Sequence, residues 1–167
     1  MTQEPSKRTA VYAGSFDPIT MGHVDVLQKG ARVFDRIVLL VAENSQKKCL
    51  FSAEKRRTLA MESIKSLNLP CEVEVDVYSG LLADYCKSKN ISFLLRGLRA
   101  ISDYENEMQA ATMNRKLLAG LETFLVMADE THFFLSSSLV KEVAEHGAPL
   151  DGLVPTPVAK AFQAMHL

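Results

Sequence analysis

Cysteine, long apolar runs and net charge are all scarce in this sequence, and each scarcity excludes a class of protein. Cys49, Cys71 and Cys86 show no C-x-x-C spacing, which excludes a cysteine-based metal site and predicts a reduced, cytoplasmic protein. The longest continuous apolar run covers residues 37–42 and is far too short to span a membrane. The formal net charge of −1 provides no basic field that would attract nucleic acid.

Length and composition predict a single globular domain. The 167 residues are 47% hydrophobic and 23% charged, an ordinary balance for one domain with a full core. The N-terminus is polar and lacks the apolar segment of a signal peptide. We therefore expect one domain over residues 1–167, in which residues 1–7 form a flexible tail.

Short apolar segments alternate with segments of helical spacing along the chain. The predicted strands cover residues 8–14, 36–42, 71–78, 91–97 and 122–127. A helix of about four turns carries Val24, Leu27, Ala31 and Phe34, and further helices cover residues 53–66, 81–89, 104–118, 138–145 and 158–165. This order predicts a single Rossmann-like α/β domain with an open parallel sheet and helices on both faces. Strict alternation in residues 71–78 favours a strand with one wetter face or a place near the sheet edge.

Five polar segments each follow a predicted strand. They are residues 14–23, Lys47 with Lys48, residues 79–82, residues 96–99 and residues 129–138. Ligands of open parallel sheets bind beyond the carboxyl ends of the strands. We therefore expect the five segments to meet at one edge of the sheet.

The segment GSFDPITMGH, residues 14–23, has the position of a phosphate-binding loop but contains neither G-x-G-x-x-G nor G-x-x-x-x-G-K-[ST]. Gly14 permits a close approach to a ligand, and Ser15 offers a hydroxyl and an amide to a phosphate oxygen. Thr20 is a predicted N-cap that places His23 in the first helical turn, where the helix dipole favours anions and a neutral imidazole. A structural turn with a hydrogen-bonded histidine fits the same spacing.

Two further segments could hold phosphate groups. Arg96 and Arg99 flank a glycine at the end of a strand and could form a fork for phosphates or a carboxylate, although solvated surface arginines are common. Ser136, Ser137 and Ser138 open a helix, where one hydroxyl suffices as a cap and the others could form an anion site. No G-x-S-x-G surrounds them, which argues against a serine nucleophile.

The other polar residues carry weaker signals. Lys47 and Lys48 fit an ordinary solvated loop. Carboxylates near the start of a helix usually complement its dipole, and three stand there: Asp103, Glu105 and Glu107. Three histidines have no metal-ligand spacing, so we predict no protein-held metal: His132, His146 and His166.

The pattern as a whole has many phosphate-holding groups but no convincing nucleophile or dedicated base. It suits a reaction in which the substrate supplies the nucleophile. A phosphate monoester is mostly dianionic at neutral pH because its second pKa is about 6. It can therefore attack the α-phosphorus of a nucleotide while the protein aligns two anions and stabilises the departing pyrophosphate. The residues predict nucleotidyl transfer.

The motifs resemble those of the bacterial phosphopantetheine adenylyltransferase family, within the nucleotidyltransferase superfamily marked by (T/H)-x-G-H. The signature is TMGH, residues 20–23, within YAGSFDPITMGH. Further matches are LLRGLRAISDYENEMQ, MNRKL and SSSLVKEVA, together with SGLL and the loop of Lys47.

The resemblance implies an enzyme that transfers the adenylyl group of ATP to 4′-phosphopantetheine by direct attack, without a covalent enzyme intermediate. The products would be dephospho-coenzyme A and pyrophosphate. The resemblance also implies Mg²⁺ carried with the ATP phosphates, a homohexamer, and dephospho-coenzyme A or coenzyme A as product or inhibitor. Neither nucleic acid nor a membrane is implied as a partner.

The resemblance also implies roles for individual residues. Catalysis is expected of His23, Lys47 and Arg96. Contacts with phosphopantetheine are expected of Ser15, Lys47, Leu82 and Arg96. Contacts with ATP are expected of Ser15, Phe16, His23, Gly97, Leu98, Arg99, Glu107, His132, Phe133, Phe134, Leu135, Ser136, Ser137 and Ser138.

The chain departs from the family pattern mainly on the adenine side. Ala128 and Asp129 stand where the family often has proline followed by serine or threonine, and His132 stands where a larger aromatic residue is frequent. Three other interpretations stay open. The protein could be a nucleotidyltransferase for nicotinamide mononucleotide or a phosphorylated alcohol, a non-catalytic sensor of adenine nucleotide or coenzyme A, or an oligomeric structural protein with a flavodoxin-like fold.

Overall fold

The computed structural model describes residues 7–43 and 48–165. In chain order its elements are β1 (Thr9–Gly14), α1 (Met21–Gly30), β2 (Arg36–Glu43), α2 (Ala53–Lys65), β3 (Glu72–Ser79), α3 (Leu82–Lys89), β4 (Phe93–Leu98), α4 (Ile101–Leu117), β5 (Glu122–Met127), a 3₁₀ turn (Glu130–His132), α5 (Ser137–Glu145) and α6 (Thr156–Ala164). Within these residues the five strands form one parallel sheet in the order β3-β2-β1-β4-β5. The predicted Rossmann-like fold is confirmed, and β3 lies at an edge as its alternation indicated.

The central strands are buried on both faces of the sheet. In β1, Ala10 and Tyr12 belong to one hydrophobic cluster, and Val11 and Ala13 belong to the other. The first cluster includes residues of α1, α2, α5 and α6, and the second includes residues of α3. Because neither face of these strands meets water, they are continuously apolar in sequence. No helix among the described residues is both long and apolar enough to cross a membrane.

Helix α1 is shorter than its apolar spacing predicted. It ends at Gly30, after which the amides of Ala31 and Phe34 bond to Leu27 and Gly30 carbonyls as the chain turns into β2. Gly30 lies so close to β4 that an added Cβ would stand 2.4 Å from Leu95 Cδ2. Ala31 and Phe34 are buried by this turn rather than by a helix, so the periodic signal extended beyond the helix.

Strands β1 and β4 separate toward their carboxyl ends. β1 pairs with β2 along its whole length, but it pairs with β4 only at Ala10 and Val11. The chain also changes direction across the sheet here, since β2 and β3 lie on one side of β1 and β4 and β5 on the other. Ligands of open α/β sheets bind at such a switch point.

Candidate active site

A cleft of about 640 Å³ opens where β1 and β4 separate. The predicted convergence of strand-end segments is confirmed for four of the five segments. The predicted site residues that line the cleft are Ser15, Phe16, His23, Leu82, Arg96, Gly97, Arg99, Glu107, Leu135, Ser136, Ser137 and Ser138. Lys47, which belongs to the fifth segment, lies outside the described residues.

The loop after β1 is shaped by a phenylalanine that folds back into the core. Phe16 has the left-handed φ of 45°, a conformation that costs a non-glycine residue about 1–3 kcal/mol. Its ring is buried and packs edge-on against Tyr12 and His23, with centroids 5.4 and 5.1 Å away. A Cβ on Gly14 would approach this ring to 3.1 Å, which explains the glycine. Contact between Phe16 and a nucleotide would therefore use its backbone.

His23 is held by the end of its own helix. Thr20 caps α1, because its side chain accepts from the His23 amide, and His23 Nδ1 in return accepts from the Thr20 amide at 3.0 Å. An amide can only donate, so neutral His23 carries its proton on Nε2. Burial, with smaller contributions from Arg99 and Arg96, lowers the pKa of His23 to about 4. The ring is thus a neutral Nε2–H donor at physiological pH, in accord with the sequence expectation.

Arg96 bridges the gap between the separated strands. Its Nη1 donates to the Ala13 carbonyl of β1 at 2.6 Å, while Nε and Nη2 each donate to Glu107 at 2.7 Å. Burial lowers the pKa of Arg96, but the Glu107 carboxylate outweighs this effect and the net shift is upward, so the guanidinium stays charged. These bonds use three of its five N–H groups, and the other two can meet a ligand phosphate.

Arg99 is held in a similar way by α4. Its Nε and Nη2 donate to Asp103 at 3.0 and 3.2 Å, and its Nη1 donates to the Leu135 carbonyl at 3.0 Å. The guanidinium therefore ties the end of β4 to the segment that precedes α5. The predicted arginine fork exists in the structure, and each arm is held by a carboxylate from the same helix.

The three consecutive serines have separate environments. Ser136 is the N-cap of α5 and accepts from the Leu139 amide at 3.1 Å. The Ser137 hydroxyl donates to the Pro18 carbonyl at 2.8 Å, which joins α5 to the loop after β1. Ser138 also lines the cleft. One serine is therefore a cap, as expected, and a second has a structural bond.

Some predicted ATP contacts lie outside the cleft lining. They are Leu98, His132, Phe133 and Phe134. Phe134 is 85% exposed and packs edge-on against Phe133, at the margin of the segment that leads to Leu135. Gly97 does line the cleft, but a Cβ there would stand 2.7 Å from Val26 Cγ2. This glycine allows α1 to approach β4 closely.

One face of α4 contributes four residues to the cleft, and sequence analysis gave three of them no role in the site. Asp103, Glu107, Ala110 and Asn114 all line the cleft, and their spacing of four, three and four residues follows one helix face. Asp103 was interpreted only as a partner of the helix dipole, and Glu107 was assigned to ATP by resemblance. In the sequence, Asp103 and Glu107 stand four residues apart and follow two arginines that stand three residues apart. That spacing could have indicated the two ion pairs.

The chemistry of the cleft is that of an anion site. It contains two charged arginines, a neutral histidine donor and the serine-capped start of α5. The carboxylates in its lining, Asp103 and Glu107, both bond to arginines, and no group of three or more potential metal ligands exists among the described residues. The described side chains therefore suit phosphate groups rather than a bare cation.

Comparison with known proteins agrees with this description. The profile of the cytidylyltransferase-like family matches residues 11–143. A structure from Vibrio parahaemolyticus, provisionally described as a nicotinate-nucleotide adenylyltransferase, superposes with a TM-score of 0.65 at 14% identity and covers 95% of this chain and 93% of its own. At this identity the likeness concerns the fold.

The parallel sheet and the family match define a nucleotidyltransferase of the Rossmann-like type. The chain belongs to the cytidylyltransferase-like family, and it is an enzyme of the nucleotidyltransferase class.

Proposed function

We propose that this enzyme transfers the adenylyl group of ATP to 4′-phosphopantetheine, forming dephospho-coenzyme A and pyrophosphate. The observation that carries the proposal is the meeting of three separate sequence motifs in one cleft: the loop with Ser15 and His23, the segment from Arg96 to Glu107, and the three serines before and within α5. The order and spacing of these motifs resemble those of phosphopantetheine adenylyltransferases, whose acceptor is a phosphate monoester.

The proposed step is a direct displacement. A phosphate oxygen of the acceptor attacks the α-phosphorus of ATP, the bond from that phosphorus to the bridging oxygen breaks, and pyrophosphate leaves with the electron pair. His23 Nε2–H donates to a phosphate oxygen on which charge develops. Lys47 and Arg96 hold the acceptor phosphate, and Arg99 and the α5 amides meet the ATP phosphates. The other residues proposed to contact ATP are Ser15, Phe16, Gly97, Leu98, Glu107 and residues 132–135.

Magnesium enters this proposal as part of the substrate. The carboxylates in the cleft lining are held by arginines, so Mg²⁺ would arrive on the ATP phosphates rather than on a protein cage. When bound, it would neutralise charge on the departing pyrophosphate.

A second acceptor, nicotinate mononucleotide, is suggested by the Vibrio structure's description. It also carries a phosphate monoester, so the same displacement would serve. The distinction concerns which molecule fills the acceptor side of the cleft, near Leu82.

Pyrophosphate release from Mg-ATP distinguishes the candidates. Phosphopantetheine, nicotinate mononucleotide and nicotinamide mononucleotide are offered separately, and release with phosphopantetheine alone is expected. Release only with a mononucleotide would mean that the acceptor is that mononucleotide and not phosphopantetheine. If protein that binds ATP releases no pyrophosphate with any of the three, a sensor function is favoured.

The homohexamer and the cytoplasmic location belong to the same proposal. Helix α4 exposes two apolar pairs, Tyr104 with Met108 and Met113 with Leu117, which contacts between subunits would cover. Met113→Glu should reduce the mass measured by sedimentation, whereas the same change at Met165 should not.

Free thiols at all three cysteines suit a reducing compartment. Inhibition by coenzyme A also belongs to the proposal, and a binding assay in which coenzyme A competes with phosphopantetheine tests it. Simultaneous binding of both molecules would contradict the proposed inhibition.

A further inference from the structure

Asp17 and Arg56 lie beside the cleft and have no part in the proposed mechanism. Among the described residues they are the buried charged side chains, each only 3% exposed. A buried charge is costly unless it is fully hydrogen-bonded. Their partners therefore show what these two charges achieve.

Both residues bond to the same peptide segment at the end of the β2–α2 loop. Asp17 accepts from the amides of Leu50 and Phe51 at 2.8 and 2.9 Å. Arg56 Nε donates to the Phe51 carbonyl at 3.2 Å. Phe51 thus has its N–H held by one charge and its C=O held by the other, while its buried ring packs edge-on against Phe162 of α6.

Arg56 also reaches the two other chain segments that meet at this place. Its Nη1 donates to the Ser15 carbonyl at 2.5 Å and to the Ala42 carbonyl at 3.1 Å. One guanidinium therefore joins the loop after β1, the end of β2 and the residue before the Ser52 cap of α2. Asp17 is in turn joined to α5, because Lys141 Nζ lies 3.0 Å from its Oδ2.

From this geometry we infer that Asp17 and Arg56 are positioning residues that clamp Leu50 and Phe51, directly before α2, in a set register against the loop after β1. The kinetic consequence rests on the proposed function. Ser15, whose carbonyl accepts from Arg56 Nη1, is the proposed contact of both substrates. A displacement of about 1 Å at such a contact can cost about 10²-fold in rate.

The test uses Arg56→Gln and Asp17→Asn, with Arg57→Gln as a matched control. Arg57 is on the same helix with its side chain 41% exposed, and its Nε donates to the Val75 carbonyl, away from both loops. Three quantities are measured in the full chain: hydrogen exchange of the Leu50 and Phe51 amides, affinity for a non-hydrolysable ATP analogue, and kcat/KM for the acceptor that the parent uses.

We expect faster exchange at Leu50 and Phe51 in both clamp variants. We also expect kcat/KM for the acceptor to fall by about 10–100-fold. The affinity for the ATP analogue should fall by less, because the alignment of two substrates is more sensitive to a shift of Ser15 than the binding of one. Arg57→Gln should match the parent in all three measurements. A role in stability alone would lower the Tm of the clamp variants but leave the kinetics of the folded protein unchanged.

Parent-like exchange in folded Arg56→Gln would overturn the clamp, and parent-like kcat/KM despite faster exchange would overturn its positioning role. An equal loss in Arg57→Gln would overturn both. If the parent accepts none of the offered acceptors, the proposed function fails, and exchange still decides on the clamp. If Arg56→Gln does not fold, Arg56→Lys carries the test, because one ammonium cannot reach all three carbonyls in the guanidinium geometry.

Discussion

The two walls of the cleft hold their charged side chains in different ways. Behind the β2-side wall, which contains the loop after β1, Asp17 and Arg56 are almost fully buried and bond mainly to backbone groups. On the β4-side wall, formed by the end of β4, α4 and the start of α5, Arg96 and Arg99 are partly exposed and bond to carboxylates.

This difference has a physical consequence for ligand binding. Backbone partners inside a closed structure cannot be exchanged for a ligand without breaking the fold locally. Carboxylate partners at a cleft compete with, or orient the arginine toward, an incoming phosphate. The β2-side wall therefore sets geometry, and the β4-side wall meets ligand charge. His23 is the exception that links them, since it belongs to the first wall and offers its Nε2–H to the cleft.

The largest effect is expected from substitution of His23, which tests whether a residue of the β2-side wall meets ligand charge. His23→Ala should lower kcat by about 10²–10³-fold, the usual cost of one lost donor to developing charge, with little change in ATP affinity. Gln can replace the Nε2 donor and Asn the Nδ1 acceptor. Turnover should therefore survive better in His23→Gln and helix stability better in His23→Asn, as measured by steady-state kinetics and urea unfolding.

His146 provides the control for this series, because it is exposed and its ring bonds to the Glu142 carbonyl on α5. His146→Gln should leave turnover unchanged. Equal kcat in parent and His23→Ala would remove His23 from the mechanism.

The next effect concerns the β4-side wall and its paired charges. Arg96→Lys keeps the charge but loses the bidentate bond to Glu107, and we expect kcat/KM for the acceptor to fall by about 10–100-fold. Glu107→Gln keeps one acceptor oxygen and should cost less. A double-mutant cycle measures the coupling of the pair, and strictly additive losses would show that Glu107 does not orient Arg96.

The fold could be predicted from local patterns because each central strand is apolar on both faces and the segments between the strands show helical spacing. The end of α1 could not, since Ala31 and Phe34 continue the apolar spacing of the helix into the turn that follows Gly30. The location of the cleft followed from the strand-end rule, which requires only the order of elements.

The connections inside the site were harder to predict for a different reason. Asp17 bonds to amides 33 and 34 residues away, and Arg56 bonds to a carbonyl 41 residues away. Bonds from side chains to backbone leave no periodic signal, so sequence analysis gave Asp17 and Arg56 no role of their own. Glu107 was assigned to the ATP side by resemblance, whereas its partner in the structure is Arg96.

A third effect is the pH dependence of stability, which tests whether the β2-side wall excludes water from His23. The pKa of His23 is about 4 in the folded protein and about 6.5 in an unfolded chain. Between these values the unfolded state binds more protons, so the free energy of unfolding falls as pH drops from 6.5 toward 4. The loss is at most about 3 kcal/mol, and less where water reaches the ring.

His23→Asn removes this titration and serves as the reference. The stability difference between parent and variant, measured by urea unfolding, should be constant above pH 6.5 and shift against the parent below it. A difference that stays constant down to pH 4 would mean that the imidazole titrates normally and is solvated.

The smallest effect distinguishes the serines at the start of α5, where the β4-side wall contains both a structural cap and a proposed ligand group. Ser136→Ala removes the cap bond to the Leu139 amide and should lower the free energy of unfolding by about 1 kcal/mol. Ser138→Ala is the matched variant two residues away, and it should leave stability unchanged while raising the KM for ATP. If both variants lose stability equally and bind ATP like the parent, the start of α5 belongs to the scaffold, and ligand charge on this wall is met by the two arginines alone.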